Sequence, residues 1–251
     1  MIPIRDRLPT RIFPFVNYGL IALNIVSFLW ELASIEAGYG NFVEDWGLVP
    51  GRFLSDPLND SVTLFTSMFL HGGWMHIAGN MLFLWIFGDN VEDALGHGRY
   101  LLFYLISGLV AAGAQMLVAP DSTVPMVGAS GAIAGVLAAY VSLYPRARVL
   151  VLVPIFVFIS FFEFPAWLVI LEWFALQLLS GMGALAVPSA GGGVAFFAHI
   201  GGFVCGLLLI RLMMLGKTTV AYDAWSGWRA PPRRSPPPAW HQRQRPWWDD
   251  R

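Results

Sequence analysis

Charge is scarce in this chain. Only 12% of its residues are Asp, Glu, Lys or Arg, about half the share a soluble domain carries, while 57% are hydrophobic. That deficit, beside apolar runs near the length of a bilayer span, excludes a soluble globular domain and makes the chain an integral membrane protein. The net charge of −1 removes the case for a general nucleic-acid partner. Cysteine occurs once, as Cys205, so an intramolecular disulfide is impossible and a cysteine metal cluster is absent. Dinucleotide and phosphate-loop motifs are missing, as is any internal repeat, and no cofactor is expected.

Six runs read as transmembrane helices: residues 13–32, 74–87, 100–119, 124–144, 165–185 and 194–215. The expected fold is therefore an all-α polytopic membrane protein, a six-helix bundle over residues 13–215. It is flanked by a cytoplasmic N-terminus (1–12) and a Pro/Arg/Trp-rich tail (216–251) that reads as disordered. The basic N-terminus before an apolar run is similar to a signal peptide, but the run is long and no small-residue cleavage site follows, so it reads as a retained first span. The second run is short for a span of ~20 residues and extends naturally into DNVEDALG. A seventh apolar run, 149–162, holds Pro154 and suits an interfacial or re-entrant segment better than a span. The loop from about 33 to 73 is long enough to carry short helices or a function of its own. With six spans, Arg5, Arg7, Arg11, Arg99, Arg146, Arg148, Arg211 and Lys217 share one side, against only Arg52 on the other. The positive-inside rule then puts both termini in the cytoplasm, in what reads as a bacterial inner membrane.

Four polar residues interrupt the hydrocarbon: His76, Asn80, Ser130 and His199. Polar groups at that depth are costly and mark function. Ser130 stands in Gly128-Ala129-Ser130-Gly131, expected about six residues into the fourth run; small residues there also make a packing surface, and Gly131, Gly135 and Ala139 repeat every four positions. His199 lies about five residues into the sixth run, and Gly202 and Gly206 below it form a G-x-x-x-G pair that admits another helix. The fourth and sixth runs are parallel, and both residues lie ~8–10 Å below the external boundary at 1.5 Å per residue. A neutral imidazole there can take a serine proton and return it to a leaving amine. His76 and Asn80, four apart, share a helix face; with the Ser130 backbone N–H they can supply donors to an oxyanion, or else hydrogen-bond across helices. A metal site of His71, His76 and His199 lacks an acidic or cysteine ligand at matching spacing, and no metal is expected.

The strings TLFTSMFLHGGWMHIAGNMLFLWIFGDNVED, GASGAIAGVLAAY and AHIGGFVCG, in that order over about residues 62–210, resemble the rhomboid family of intramembrane serine proteases. The resemblance implies a six-helix rhomboid fold and a Ser130–His199 dyad lacking a third acid. It also implies oxyanion assistance from His76 and Asn80, a structural His71, and single-span membrane proteins as substrates, cut at or near the external boundary. Two positions depart from the family pattern. Val62-Thr63 replaces a common Trp-Arg pair, which puts the first-loop packing in doubt. Ala134 replaces an aromatic that stacks on the histidine, so something else must orient His199. Glu172 and Gln177 in the fifth run, which resembles the family's mobile gate, read mainly as packing or interfacial residues, and Asn24 and Ser27 as interhelical hydrogen-bonders. The fifth run and the loop 181–193, with its glycine run, are expected to form a movable cover. The rival reading is a rhomboid-like protein that binds membrane clients without cleaving them; a fluorophosphonate probe separates the two.

Overall fold

The computed structural model describes residues 1–155, 158–186 and 195–215. Among these, the elements run β1 (Ile2–Asp6), α1 (Phe15–Glu36), α2 (Phe42–Trp46), α3 (Pro50–Ser55), α4 (Thr63–Thr66), α5 (Trp74–Leu95), α6 (His97–Val118), α7 (Ser130–Leu143), β2 (Arg148–Ile155), β3 (Phe158–Pro165), α8 (Ala166–Ala186) and α9 (Phe196–Met213). The chain is mostly helical. By length and apolarity, α1, α6 and α9 can each cross a membrane. Helix α5 is as long but carries Asp89, Glu92 and Asp93 in its last turns, while α7 and the apolar stretch of α8 are shorter. The tail from residue 216 and most of the expected cover loop, 187–194, lie outside the described residues.

Glycine sets the sharpest corner. Gly96, at φ 77°, ends α5 and precedes α6 directly, a conformation that a side chain disfavours. The acids that end α5 serve the neighbouring helix. Backbone N–H groups of Val16 and Asn17 donate to the two Glu92 carboxylate oxygens at 3.0 and 2.7 Å. A carboxylate there satisfies orphan donors and meets the positive end of the α1 dipole. Asn17, fully buried, then joins three helices: its amide donates to Leu84 O of α5 at 3.1 Å and accepts from Tyr100 Oη of α6 at 2.8 Å. Asn24, expected to bond between helices, donates its amide to Leu20 O within α1 at 2.8 Å and also interacts with the Tyr104 side chain of α6.

Helix α7 is the hub. Every residue from Gly131 to Tyr140 is buried, because α5, α6, α8 and α9 surround it. At about 21 Å it is short for the bilayer, and protein neighbours cover it instead of lipid. The α7–α9 contact is made of glycines. A Cβ on Gly202 would collide with Gly131 O, and one on Gly206 with the Gly135 backbone. Of the four glycines expected to pack helices, Gly131, Gly202 and Gly206 lie at this contact. Gly128 does not: it precedes α7, at φ 124°.

The all-α expectation needs correction. Strands β2 and β3 pair antiparallel from Arg148↔Pro165 to Ile155↔Phe158, and β1 pairs with β2 from Ile2↔Leu152 to Asp6↔Val149. The described residues of the run 149–162 therefore lie in two antiparallel strands, and residues 1–12 contribute a third strand. Alternating Val and Leu favours extended chain. Pro154 is tolerated because β1 pairing stops at Leu152, so the missing N–H falls where β2 has a neighbour on one side only. Arg7 pairs with Glu163 of β3, and Asp6 accepts from Tyr140 Oη of α7 at 2.5 Å. Burial pushes the Asp6 carboxyl up to about 6.

Candidate active site

Helix α7 begins at Ser130, not six residues above it. Residues 124–129 enter as non-helical chain, pinned by the first loop: Leu48 and Met126 exchange backbone hydrogen bonds at 3.1 and 2.7 Å, and Gly128 N donates to Ser67 O at 2.8 Å. Pro125 and the positive φ of Gly128 both oppose helix there. Ser130 consequently stands at a helix N-terminus. The N–H groups of that first turn have no acceptor within the helix and point toward whatever lies above.

Ser130 Oγ lies 2.6 Å from His199 Nε2. His199 is in the first turn of α9, and that turn is capped from α6: Gln115 Oε1 accepts from Phe197 N and Ala198 N at 3.1 and 3.3 Å. The other ring nitrogen, Nδ1, lies 2.6 Å from Gln177 Oε1 of α8. Trp173, one turn earlier on the same face of α8, sets its ring 5.8 Å from the imidazole, tilted by 45°. The orienting contact that Ala134 cannot give therefore comes from a different helix. From sequence alone Gln177 reads as a packing or interfacial residue, and neither Trp173 nor Gln115 stands out. The available signal was the spacing of four between Trp173 and Gln177, which puts an aromatic and an amide on one face.

Helix α5 supplies the opposite wall. His76 Nδ1 accepts from Gly72 N at 3.3 Å, so a neutral ring carries its proton on Nε2. That nitrogen faces Gly128, where an added Cβ would lie 2.8 Å from it; glycine is required there for space as well as for φ. Asn80, one turn on, is buried, and its Nδ2 has no hydrogen-bond partner among the described residues. An amide donor buried and unpaired beside a serine is costly unless something fills it during function. His76, Asn80, Ser130, Trp173, Gln177 and His199 all line one cavity of about 550 Å³.

His71 is fully buried, its ring edge-on to His76 at 5.1 Å, and its backbone N–H donates to Glu31 at 3.0 Å. Among the described residues no three His, Cys, Asp or Glu side chains gather as metal ligands. Glu172 is outside the cavity lining and pairs with the Met1 amino group at 3.0 Å. Arg52 holds the first loop: it pairs with Asp60 at 2.8 Å and donates to the carbonyls of Glu44 and Gly47. Thr63 Oγ1 in turn donates to Asp60 O at 2.7 Å, which ties Val62-Thr63 to this network without a Trp-Arg pair.

The arrangement can transfer a proton from a serine hydroxyl to an imidazole beside unpaired donors, which is what acyl transfer requires. The Rhomboid domain model matches residues 59–216. Rhomboid protein 1, mitochondrial, of Saccharomyces cerevisiae is 26% identical over 196 residues, 76% of this chain and 51% of that protein. The human Presenilin-associated rhomboid-like protein, mitochondrial, is 30% identical over 146 residues, 56% of this chain and 36% of that protein. Rhomboid protease GluP of Bacillus subtilis is 40% identical over 137 residues, 53% of this chain and 26% of that protein. The chain spans about half, or less, of the length of these relatives.

Proposed function

The chain belongs to the rhomboid family, and on that premise we propose that it is an intramembrane serine endopeptidase acting on single-span membrane proteins at or near the external membrane boundary. The observation that carries the reading is the 2.6 Å approach of Ser130 Oγ to His199 Nε2. In the proposed reaction Oγ attacks the scissile carbonyl carbon while its proton passes to Nε2. The carbonyl oxygen becomes an oxyanion within reach of Asn80 Nδ2, His76 Nε2–H and the Ser130 backbone N–H. Collapse breaks the C–N bond, and His199 returns the proton to the departing amine. Water entering through the cavity then hydrolyses the acyl-enzyme, with His199 as base.

The reading takes α1, α5, α6, α7, α8 and α9 as six spans, with both termini and the β-sheet on the basic, cytoplasmic side of a bacterial inner membrane. The relatives' names include mitochondrial proteins and a bacterial one; they support a membrane location and select no single compartment. The rival, a client-binding protein without hydrolysis, does not require the short Ser130–His199 contact or the unpaired Asn80 amide. The test is labelling of the membrane-embedded protein with a fluorophosphonate, alongside cleavage of a model transmembrane substrate. Wild type is expected to label and cleave, and Ser130→Ala to do neither. A wild type that neither labels nor cleaves refutes the reading in favour of the client-binding rival.

A further inference from the structure

The His199 imidazole has two nitrogens, and only one faces Ser130. To take the serine proton, Nε2 must be the bare nitrogen, so the ring proton must sit on Nδ1. A ring free to choose puts the proton on either. In this protein Nδ1 is 2.6 Å from Gln177 Oε1, and a carbonyl oxygen can only accept. Trp173, four residues earlier, flanks the same ring. Both come from α8, a helix separate from those carrying Ser130, His76 and His199.

We propose, on the basis of the serine protease reading, that Gln177 is a positioning residue for His199. Its carbonyl holds the imidazole in the Nδ1–H tautomer and stabilises the imidazolium formed during attack, the task a third acid performs in a triad. Dyad competence then depends on where α8 stands. With α8 seated, His199 is oriented on both nitrogens; with α8 displaced by a few ångströms, Nδ1 loses its acceptor and the tautomer is no longer selected. Among the described residues the other titratable group facing His199 across the cavity is His76; Asn80, Ser130, Trp173 and Gln177 carry no charge there.

The experiment compares two near-isosteric variants of the full chain in proteoliposomes, using cleavage of a transmembrane reporter substrate at varied pH. Gln177→Met removes the acceptor and keeps the length; kcat is expected to fall about tenfold to a hundredfold with KM unchanged. Gln177→Glu can only accept, so it is expected to keep kcat near wild type, with the acid limb of the pH profile moved to higher pH by the carboxylate. A Gln177 that merely packs, or that donates to Nδ1, leaves no such difference. Wild-type kcat in Gln177→Met, or a Gln177→Glu as impaired as Gln177→Met with an unmoved acid limb, overturns the proposal. Fluorophosphonate labelling of wild type and Ser130→Ala runs alongside. If wild type labels and cleaves, only the role of Gln177 is in play; if it does neither, the protease reading fails and this inference with it.

Discussion

Replacing Gly202 by alanine adds one methyl group at the place where α9 lies closest to α7. The new Cβ would meet the carbonyl oxygen of Gly131 well inside the 3.4 Å at which ordinary contact begins, with the Gly131 carbonyl carbon 2.9 Å away. Both obstacles are backbone, so no side chain can swing aside. The helices must separate locally by about 1 Å, at a cost of about 1–3 kcal/mol for overpacking. Residue 202 is three positions after His199 on α9, so the imidazole moves with it. The 2.6 Å Ser130–His199 contact then stretches beyond hydrogen-bonding range, and a misplacement of that size costs about 10²-fold in rate. The assay is kcat/KM on a transmembrane reporter substrate together with thermal unfolding in detergent. Gly19→Ala on α1 is the control: an added Cβ there meets nothing within 4 Å, so activity holds and stability is unchanged or rises by up to about 1 kcal/mol from helix propensity. A Gly202→Ala protein with wild-type turnover and unfolding temperature would refute the claim that glycine contact sets the register of the site.

Four further outcomes are expected. Ser130→Ala and His199→Ala each abolish cleavage while leaving membrane insertion intact, and the double variant is little worse than either, as kinetics on purified protein will read. Asn80→Ala lowers kcat by about 10²–10³, the usual loss for one oxyanion donor; an unchanged kcat leaves Asn80 a packing role. Asp6 has its folded-state pKa raised from 3.8 to about 6, so the native state holds the extra proton between those values. Stability is therefore greater near pH 4 and declines as pH rises through about 6; Asp6→Asn should reduce that slope in thermal unfolding measured from pH 4 to 7. A membrane-impermeant serine reagent should reach Ser130 only from the outer face, and a cysteine placed in the tail should react only from the cytoplasm; labelling of Ser130 from the cytoplasm reverses the orientation.

What could be seen in the sequence followed physical strength. Helices α5, α6 and α9 are legible because their apolar runs end at glycine, at charge or at both, as DNVEDALGHGR does between α5 and α6. His76, Asn80, Ser130 and His199 stand out because polar groups in hydrocarbon are costly, and the structure has all four on one cavity. The start of α7 is hidden in the sequence because residues 124–129 are largely apolar. Hydropathy cannot separate an apolar non-helical segment from a helix, although Pro125 is a local warning. The run 149–162 reads as an interfacial or re-entrant segment and not as a span, but its strands are not legible, because an apolar run without helical period does not declare its secondary structure. Gln177 is legible only as sharing a helix face with Trp173. Its value lies in which nitrogen it approaches, and that depends on the docking of α8 beside α9, which the residues of α8 do not encode by themselves.

The distance along the chain between Ser130 and His199, 69 residues, has a consequence for biogenesis. Synthesis runs from the N-terminus, so α1 to α8 reach the membrane while α9 is still being made. Throughout that interval Ser130 lacks its contact with His199. On the proposed reading the nascent protein is inert, however complete its other helices are, and becomes a peptidase in one event, when α9 settles its glycines against α7. The order of translation thus acts as a safety interval. Neighbouring hydrophobic segments that leave the ribosome and enter the bilayer beside the unfinished chain are spared until the last described helix is in place.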